Sequence, residues 1–237
     1  MLSVLMSCFN KEQYVGTAIE SVLGQTDGDL ELIVVDDCST DNSRSVVRRF
    51  MGDRRVRLVE HSKNMGMGAA TRSAADSAKG DLFGLLDADD VLDSTAVATM
   101  KAAHKKHRDA GLIYSSYWRC DAELKPGPDM WPSARIPDGM TLLEYLDEGG
   151  HMVVGPFRTF TREAYLKTGG FGTWRNSQDL DIALKIEEVA PLRFIDERLY
   201  YYRILPVSMA ASRGGPNLML QIQEEAYARR GLQVPWK

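Results

Sequence analysis

The chain opens on an unbroken apolar run, SVLMS at residues 3–7, too short for a helix and continuous enough for a strand buried on both faces. Past Cys8-Phe9-Asn10, Val15, Ala18, Ile19, Val22 and Leu23 recur at i, i+3, i+4, i+7 and i+8, one face of a helix. Asn10 with Gln13 three residues on reads as its capping box, and Gly24 with Thr26-Asp27-Gly28 as its stop. ELIVVDD at 31–37 is a second buried strand, followed by the turn-forming CSTDNS and a short helix marked by Val46, Val47 and Phe50. RVRLVEH at 55–61 alternates charged and apolar residues, so one face is wet, as suits a strand near a sheet edge. A glycine-containing loop at 64–68 leads into a helix of small residues (Ala69, Ala70, Ala74, Ala75, Ala78) that Gly80 closes. The apolar stretch 82–86 then turns abruptly acidic at Asp87-Ala88-Asp89-Asp90. Ser94 reads as the cap of a further helix whose basic end complements the helix dipole, and 112–118 as a fifth strand. Strands alternating with helices predict an α/β fold with right-handed crossovers and a mostly parallel central sheet flanked by helices.

The second half has another texture. Pro126, Pro128, Pro132 and Pro137 make 120–140 a long irregular loop. Residues 141–150 contain a short helix, and 158–171 run from a strand through a helix to a Gly-Gly turn. A helix at 177–189 points Ile182, Ile186 and Val189 inward, 192–204 reads as two short strands, and a last helix covers about 217–230. The expected organisation is a single domain over 1–237: a sheet-forming half (1–118), a loop-rich lobe (119–208) and a helical tail (209–237).

Composition narrows the partners. Twenty-nine Lys and Arg against 33 Asp and Glu give 29 − 33 = −4, without the broad basic field that nucleic-acid binding needs. No run approaches the ~18 apolar residues of a membrane span, and MLSVLMSCFN lacks the basic start of a signal peptide. Three cysteines cannot all pair with one another, which favours a reducing, cytoplasmic setting, whether free or peripheral at the inner face of the membrane.

In open α/β sheets ligands bind beyond the carboxyl ends of strands. Three polar groups fall there: 7–10, Asp36-Asp37 and 87–90. Two acidic clusters at ends of separate strands repel each other unless something positive lies between them, and a divalent ion held by carboxylate oxygens meets that need. Asx-turns and a helix cap account equally well for 36–41 taken alone, whereas three carboxylates in four positions at 87–90 exceed what a cap uses. The 64–68 loop is not a GxGxxG phosphate loop, and His104 to His107, with two lysines between, read as a solvated helix end. DADDV also fits the DxDxV nucleophile motif of haloacid-dehalogenase-like phosphatases, with Asp87 attacking phosphorus. That motif ends the first strand of its core, and here at least two strand–helix units precede it.

Five segments, in order and spacing, resemble the family 2 inverting glycosyltransferases of the GT-A fold over about residues 2–208: 3–26, 31–43, 64–90, the GGF at 169–171 and Gln178-Asp179. By that resemblance Ser7, Phe9, Asn10 and Asn64 line the donor pocket, Asp37 contacts the base, Arg72 faces the donor and Asp87 lies near the ribose. Asp89, with Asp90, carries Mn2+ or Mg2+ on the diphosphate, and Asp179 is the base. The implied substrates are a nucleotide sugar, in first place a UDP-sugar, and a hydroxyl acceptor on a glycan or lipid-linked carrier. A metal and Arg72 would offset the charge on the leaving diphosphate while a carboxylate on the opposite side takes the acceptor proton, inverting the anomeric centre in one displacement. Asp179 and Asp181 lie about 200° apart around a helix, so they cannot both face one site. The family pattern selects Asp179; geometry alone does not. Two departures stand out: Gln178 where many relatives have Glu, and Leu205 where many have a His able to approach the metal. Arg203 is then a candidate for the diphosphate, and Trp131, Trp174, the Tyr200 to Tyr202 run and Gln178 for the acceptor. A nucleotide-sugar-binding module without catalysis is the alternative.

Overall fold

The computed structural model describes residues 1–128, 132–172, 174–205 and 215–236, so Trp131 lies outside the described residues. The first half runs β1 (Leu2–Cys8), α1 (Val15–Leu23), β2 (Leu30–Asp36), α2 (Ser43–Arg48), β3 (Val56–Glu60), α3 (Met67–Ser77) and β4 (Leu82–Leu85). It continues with β5 (Val91–Leu92), α4 (Ala96–Lys106) and β6 (Leu112–Cys120). The second half adds α5 (Leu142–Asp147), β7 (Arg158–Thr161), α6 (Arg162–Lys167), α7 (Gln178–Glu187), β8 (Leu192–Arg203) and α8 (Gly215–Arg229).

One eight-stranded sheet takes the order β3-β2-β1-β4-β7-β6-β8-β5. The alternation of side chains along β1 explains the layering: Leu5 packs with α3 and α7 on one face, and Val4 and Met6 with α1 and α4 on the other. β3 sits at the sheet edge, as its alternating pattern predicted. β1, β2, β3 and β4 pair in parallel, and so do β6 and β8, but β7 runs antiparallel to both β4 and β6, and β5 antiparallel to β8. The sheet is therefore mixed, and its first half is not closed on itself.

Local expectations fail where tertiary contacts take over. Asn10 caps no helix: it has φ +54°, and its Oδ1 accepts from Thr40 N–H at 2.8 Å, while α1 begins at Val15 without a side-chain cap. Ser94 is likewise no cap; α4 follows Thr95, whose N–H and hydroxyl donate to Asp93 Oδ1. Residues 192–203 form one strand, bent where its register against β6 shifts near Ser115 to Trp118, rather than two. Val189 lies outside α7 and is 40% exposed. His104 is buried rather than solvated, hydrogen-bonded to Thr159 Oγ1 at 3.0 Å, and burial pushes its pKa down to about 4. The capping box that does form is Thr141 with Glu144, opening α5. Among the described residues no helix is long and apolar enough to cross a membrane.

Candidate active site

The carboxyl ends of β1, β2 and β4 open into a cleft of about 530 Å³ lined by Ser7, Phe9, Asn10, Asp37, Asn64, Asp87, Asp89 and others. The ends of β1 and β2 are laced together. Asp37 N–H donates to Cys8 O at 2.8 Å, Asn10 N–H donates to Ser39 Oγ, and both Asn10 and Cys38 take left-handed backbone that Asn tolerates well. Asp37 is buried in a nest of donors: His61 Nδ1 at 2.7 Å and Met65 N–H at 2.9 Å on Oδ1, and Gly66 N–H at 2.8 Å on Oδ2. Asn64 Nδ2 closes the nest on Asp37 O. Phe9 is 42% exposed at the mouth, a flat apolar face beside these polar groups. Asp36 turns away into the core, where Arg44 and Ser39 N–H hold its Oδ2.

The acidic segment after β4 splits into distinct roles. Asp90 is buried; its Oδ2 accepts from Tyr200 O–H at 2.7 Å and its Oδ1 from Arg203 N–H at 2.7 Å. Burial, reinforced by Asp89 and Asp87, pushes its pKa well up. Asp90 also lines the cleft, but with its two oxygens taken by Tyr200 and Arg203 it is less free than Asp89 to hold a cation. Tyr200, read from sequence as packing or a stacking surface, is the buried post of this turn: its hydroxyl also accepts from Asp87 N–H at 3.1 Å. Asp87 and Asp89 face the cleft, where burial, then Asp89 and Asp179, raise Asp87 to about 7. Asp89 is ion-paired with Lys11. Among the described residues the Arg203 guanidinium hydrogen-bonds backbone, at Asp89 O and Ala122 O, and lies over the Tyr14 ring.

A second cleft of about 690 Å³ adjoins the first; Met67, Asp87, Asn176 and Tyr202 line both. Asp179, in the first turn of α7, faces this second cleft and pairs with Arg158 Nη1 at 3.0 Å. Burial opposes its ionisation, but the Arg158 guanidinium outweighs burial and holds Asp179 below the usual carboxylate range. Arg158 is itself buried, its Nε donating to Gly155 O at 2.9 Å. Asp181 points elsewhere, into the core, ion-paired with Lys185 at 2.7 Å and accepting Gly172 N–H. Gln178 is buried against Met67 Sδ and lines the second cleft.

Two expected residues are placed elsewhere. The Arg72 guanidinium binds Phe171 O and Gly169 O and lines neither cleft, so it anchors the GGF turn. Trp174 packs against the core and also lines neither; its carbonyl accepts Gly68 N–H at 3.0 Å. A Cβ at Gly68 would lie 2.5 Å from that carbonyl, so this glycine lets the segment before α7 press against the start of α3. Lys11, Arg158 and the structural use of Tyr200 escaped sequence reading.

Residues 3–169 match the description "Glycosyl transferase family 2". The chain belongs to this family. Its class is glycosyltransferase, and its mixed α/β sheet is the GT-A architecture expected from the sequence. It is 31% identical over 209 residues to a chondroitin synthase of Escherichia coli, covering 86% of this chain and 29% of that protein. A hyaluronan synthase of Pasteurella multocida is 30% identical over 86% of this chain and 20% of its own length. This family 2 chain thus spans less than a third of the length of these relatives. Among solved structures, Staphylococcus aureus TarS 1-349 in complex with UDP-GlcNAc superimposes with TM-score 0.74 at 19% identity, covering 89% of this chain and 60% of that one. The mannosyltransferase PcManGT of Pyrobaculum calidifontis, in complex with GDP-Man and Mn2+, gives 0.71 at 19% identity over 99% and 65%.

For a family 2 chain the metal question is one of donor chemistry. Among the described residues no three His, Cys, Asp or Glu side chains are grouped to hold an ion. Asp89 and Asp87 nevertheless face one cleft, and hard oxygen ligands from one or two carboxylates, completed by phosphates, are what Mg2+ or Mn2+ ordinarily accepts. The residues fit a cation that arrives with a phosphorylated ligand.

Proposed function

We propose that this chain transfers a sugar from a nucleotide sugar, in first place a UDP-sugar, to a hydroxyl acceptor with inversion at the anomeric carbon. The observation that carries the reading is that Asp87 lines both clefts: a polar donor chamber ending at Asp89 meets a chamber containing the ionised Asp179. The ligands of TarS and PcManGT, UDP-GlcNAc and GDP-Man, support a nucleotide sugar as the donor class.

In this reading the base packs by Phe9 and Asp37, with Ser7, Asn10 and Asn64 around it, and Asp87 lies toward the ribose. Asp89, with Asp87 beside it, would hold Mn2+ or Mg2+, which when bound offsets the charge developing on the leaving diphosphate. Asp179 takes the proton from the acceptor hydroxyl as that oxygen attacks from the opposite side of the sugar ring. Arg158 keeps the base charged and fixes its rotamer. Gln178 lies on the acceptor side. Arg72 and Trp174 support the site by holding the 169–174 segment.

A thermal-shift screen of nucleotides and nucleotide sugars with and without Mn2+ tests the donor class, because stabilisation grows with ligand concentration over Kd. Asp179→Asn should lower transfer by about 10²–10⁴-fold while retaining donor binding, and Asp89→Ala should lose both. Full transfer by Asp179→Asn removes the base assignment. Donor binding without turnover in the unsubstituted protein would favour the binding-module alternative. The phosphatase reading fits less well, because the Asp87 segment follows β4, with three strands and their helices before it, rather than the first strand of the fold.

A further inference from the structure

The donor chamber contains a cation that the reaction above does not use. Lys11 lies just past the Ser7–Asn10 segment, and its ammonium is ion-paired with Asp89 Oδ2, the carboxylate proposed for the divalent ion. The pair is half-buried, the two side chains being 20% and 17% exposed. The Lys11 backbone is pinned: its N–H donates to Ser43 Oγ at 2.7 Å, and its carbonyl accepts from Tyr14 and Val15 N–H at 2.9 Å. Only the flexible four-carbon stem is left to move the charge. Other cations near the cleft are placed differently. Arg203 is buried and bound to two backbone carbonyls, Arg158 belongs to Asp179, and Arg175 is exposed on the segment before α7.

We propose that Lys11 competes with the divalent metal for Asp89 and passes to the donor diphosphate when metal and donor bind together. The inference rests on the nucleotide-sugar reading above. A metal arriving alone must displace the ammonium and leave it, without its carboxylate partner, beside a divalent charge, a repulsive arrangement in a half-buried site. A metal arriving with a nucleoside diphosphate brings phosphate oxygens to which Lys11 Nζ can turn. Metal and donor then favour each other's binding, and the coupling is reciprocal. Lys11 is thus a positioning residue for the metal and a binding residue for the diphosphate.

The test measures Mn2+ binding alone by the electron paramagnetic resonance of free Mn2+, and UDP binding with and without metal by calorimetry. Lys11→Met and Lys11→Gln should bind Mn2+ alone about 5–10-fold more tightly than the unsubstituted protein and bind UDP in the presence of Mn2+ about tenfold more weakly. Lys11→Arg should behave as the unsubstituted protein in the metal-alone arm. Unchanged Mn2+ affinity in folded Lys11→Met and Lys11→Gln overturns the competition, and unchanged UDP affinity overturns the hand-over. Should neither variant fold, the unsubstituted protein still decides: UDP binding indifferent to Mn2+ overturns the proposal, whereas strong mutual enhancement supports it. That failure, accompanied by sugar transfer, leaves the function standing. Absence of binding to any nucleotide, with no turnover, overturns both.

Discussion

Asp87 and Asp179 sit in adjoining parts of one cleft, and their surroundings push them in opposite directions. Arg158→Met removes the cation that outweighs the burial of Asp179. Its pKa should rise, moving the acid limb of the pH–rate profile upward, so that kcat falls further at pH 6 than at pH 8. Asp87 works the other way. Its pKa is raised from 3.8 unfolded to about 7 folded, so the folded chain holds the extra proton between those values. Its contribution to stability is present below pH ~4 and is lost as pH rises through about 7. The ligand-free Asp87→Asn variant should therefore lose less stability than the unsubstituted protein between pH 5 and pH 8. A difference of about 2–4 °C in Tm per kcal/mol is expected for a chain of this size, read by calorimetry at the two pH values. What sequence exposed at this scale is what lies at a strand end: Asp37, Asp87 and Asp89 follow runs of buried apolar residues. Lys11 and Tyr200 were hidden because their partners are distant, 78 and 110 positions away. A string of carboxylates does not say which one is tied to its neighbours, as Asp90 is to Tyr200 and Arg203.

At the scale of elements, the turn after β4 is held by β8. Tyr200 accepts Asp87 N–H and donates to Asp90, and the neighbouring Arg203 N–H completes the set. Tyr200→Phe leaves a buried N–H and a buried carboxyl oxygen short of a partner, costing about 1–3 kcal/mol by denaturant unfolding. Because the same hydrogen bonds set the direction of the Asp87 to Asp90 backbone, donor affinity should fall as well. Element types were legible from periodicity, since buried strands and amphipathic helices impose different spacings on apolar residues. Three features were not: the two-residue β5, which has no period, the single bent β8, whose register shifts interrupt alternation, and Asn10, whose side chain is taken by Thr40 in the loop after β2.

At the scale of the molecule, the strand–helix alternation indicated an α/β architecture, the resemblance to family 2 glycosyltransferases made it GT-A, and the parallel pairing held for β1 to β4. The second half's place in it was not legible. β7 is four residues, Arg-Thr-Phe-Thr, with no signal of a partner, yet it pairs with β4 on one side and β6 on the other. A fragment ending at residue 118 would leave both β4 and β6 with open edges, and size-exclusion chromatography with circular dichroism should find it aggregated or unfolded rather than a compact nucleotide binder.

That insertion also constrains how this enzyme class diversifies. β7 brings Arg158 into the sheet beside the strand that ends at the acidic donor segment, so the partner of the proposed base is woven between strands of the donor half. Exchange of whole lobes between relatives would unpick the sheet. On the proposed reading, new acceptor preferences would be written around α5 and into the approach to α7, over a frame that keeps the spacing between Asp179 and the carboxylates after β4 constant.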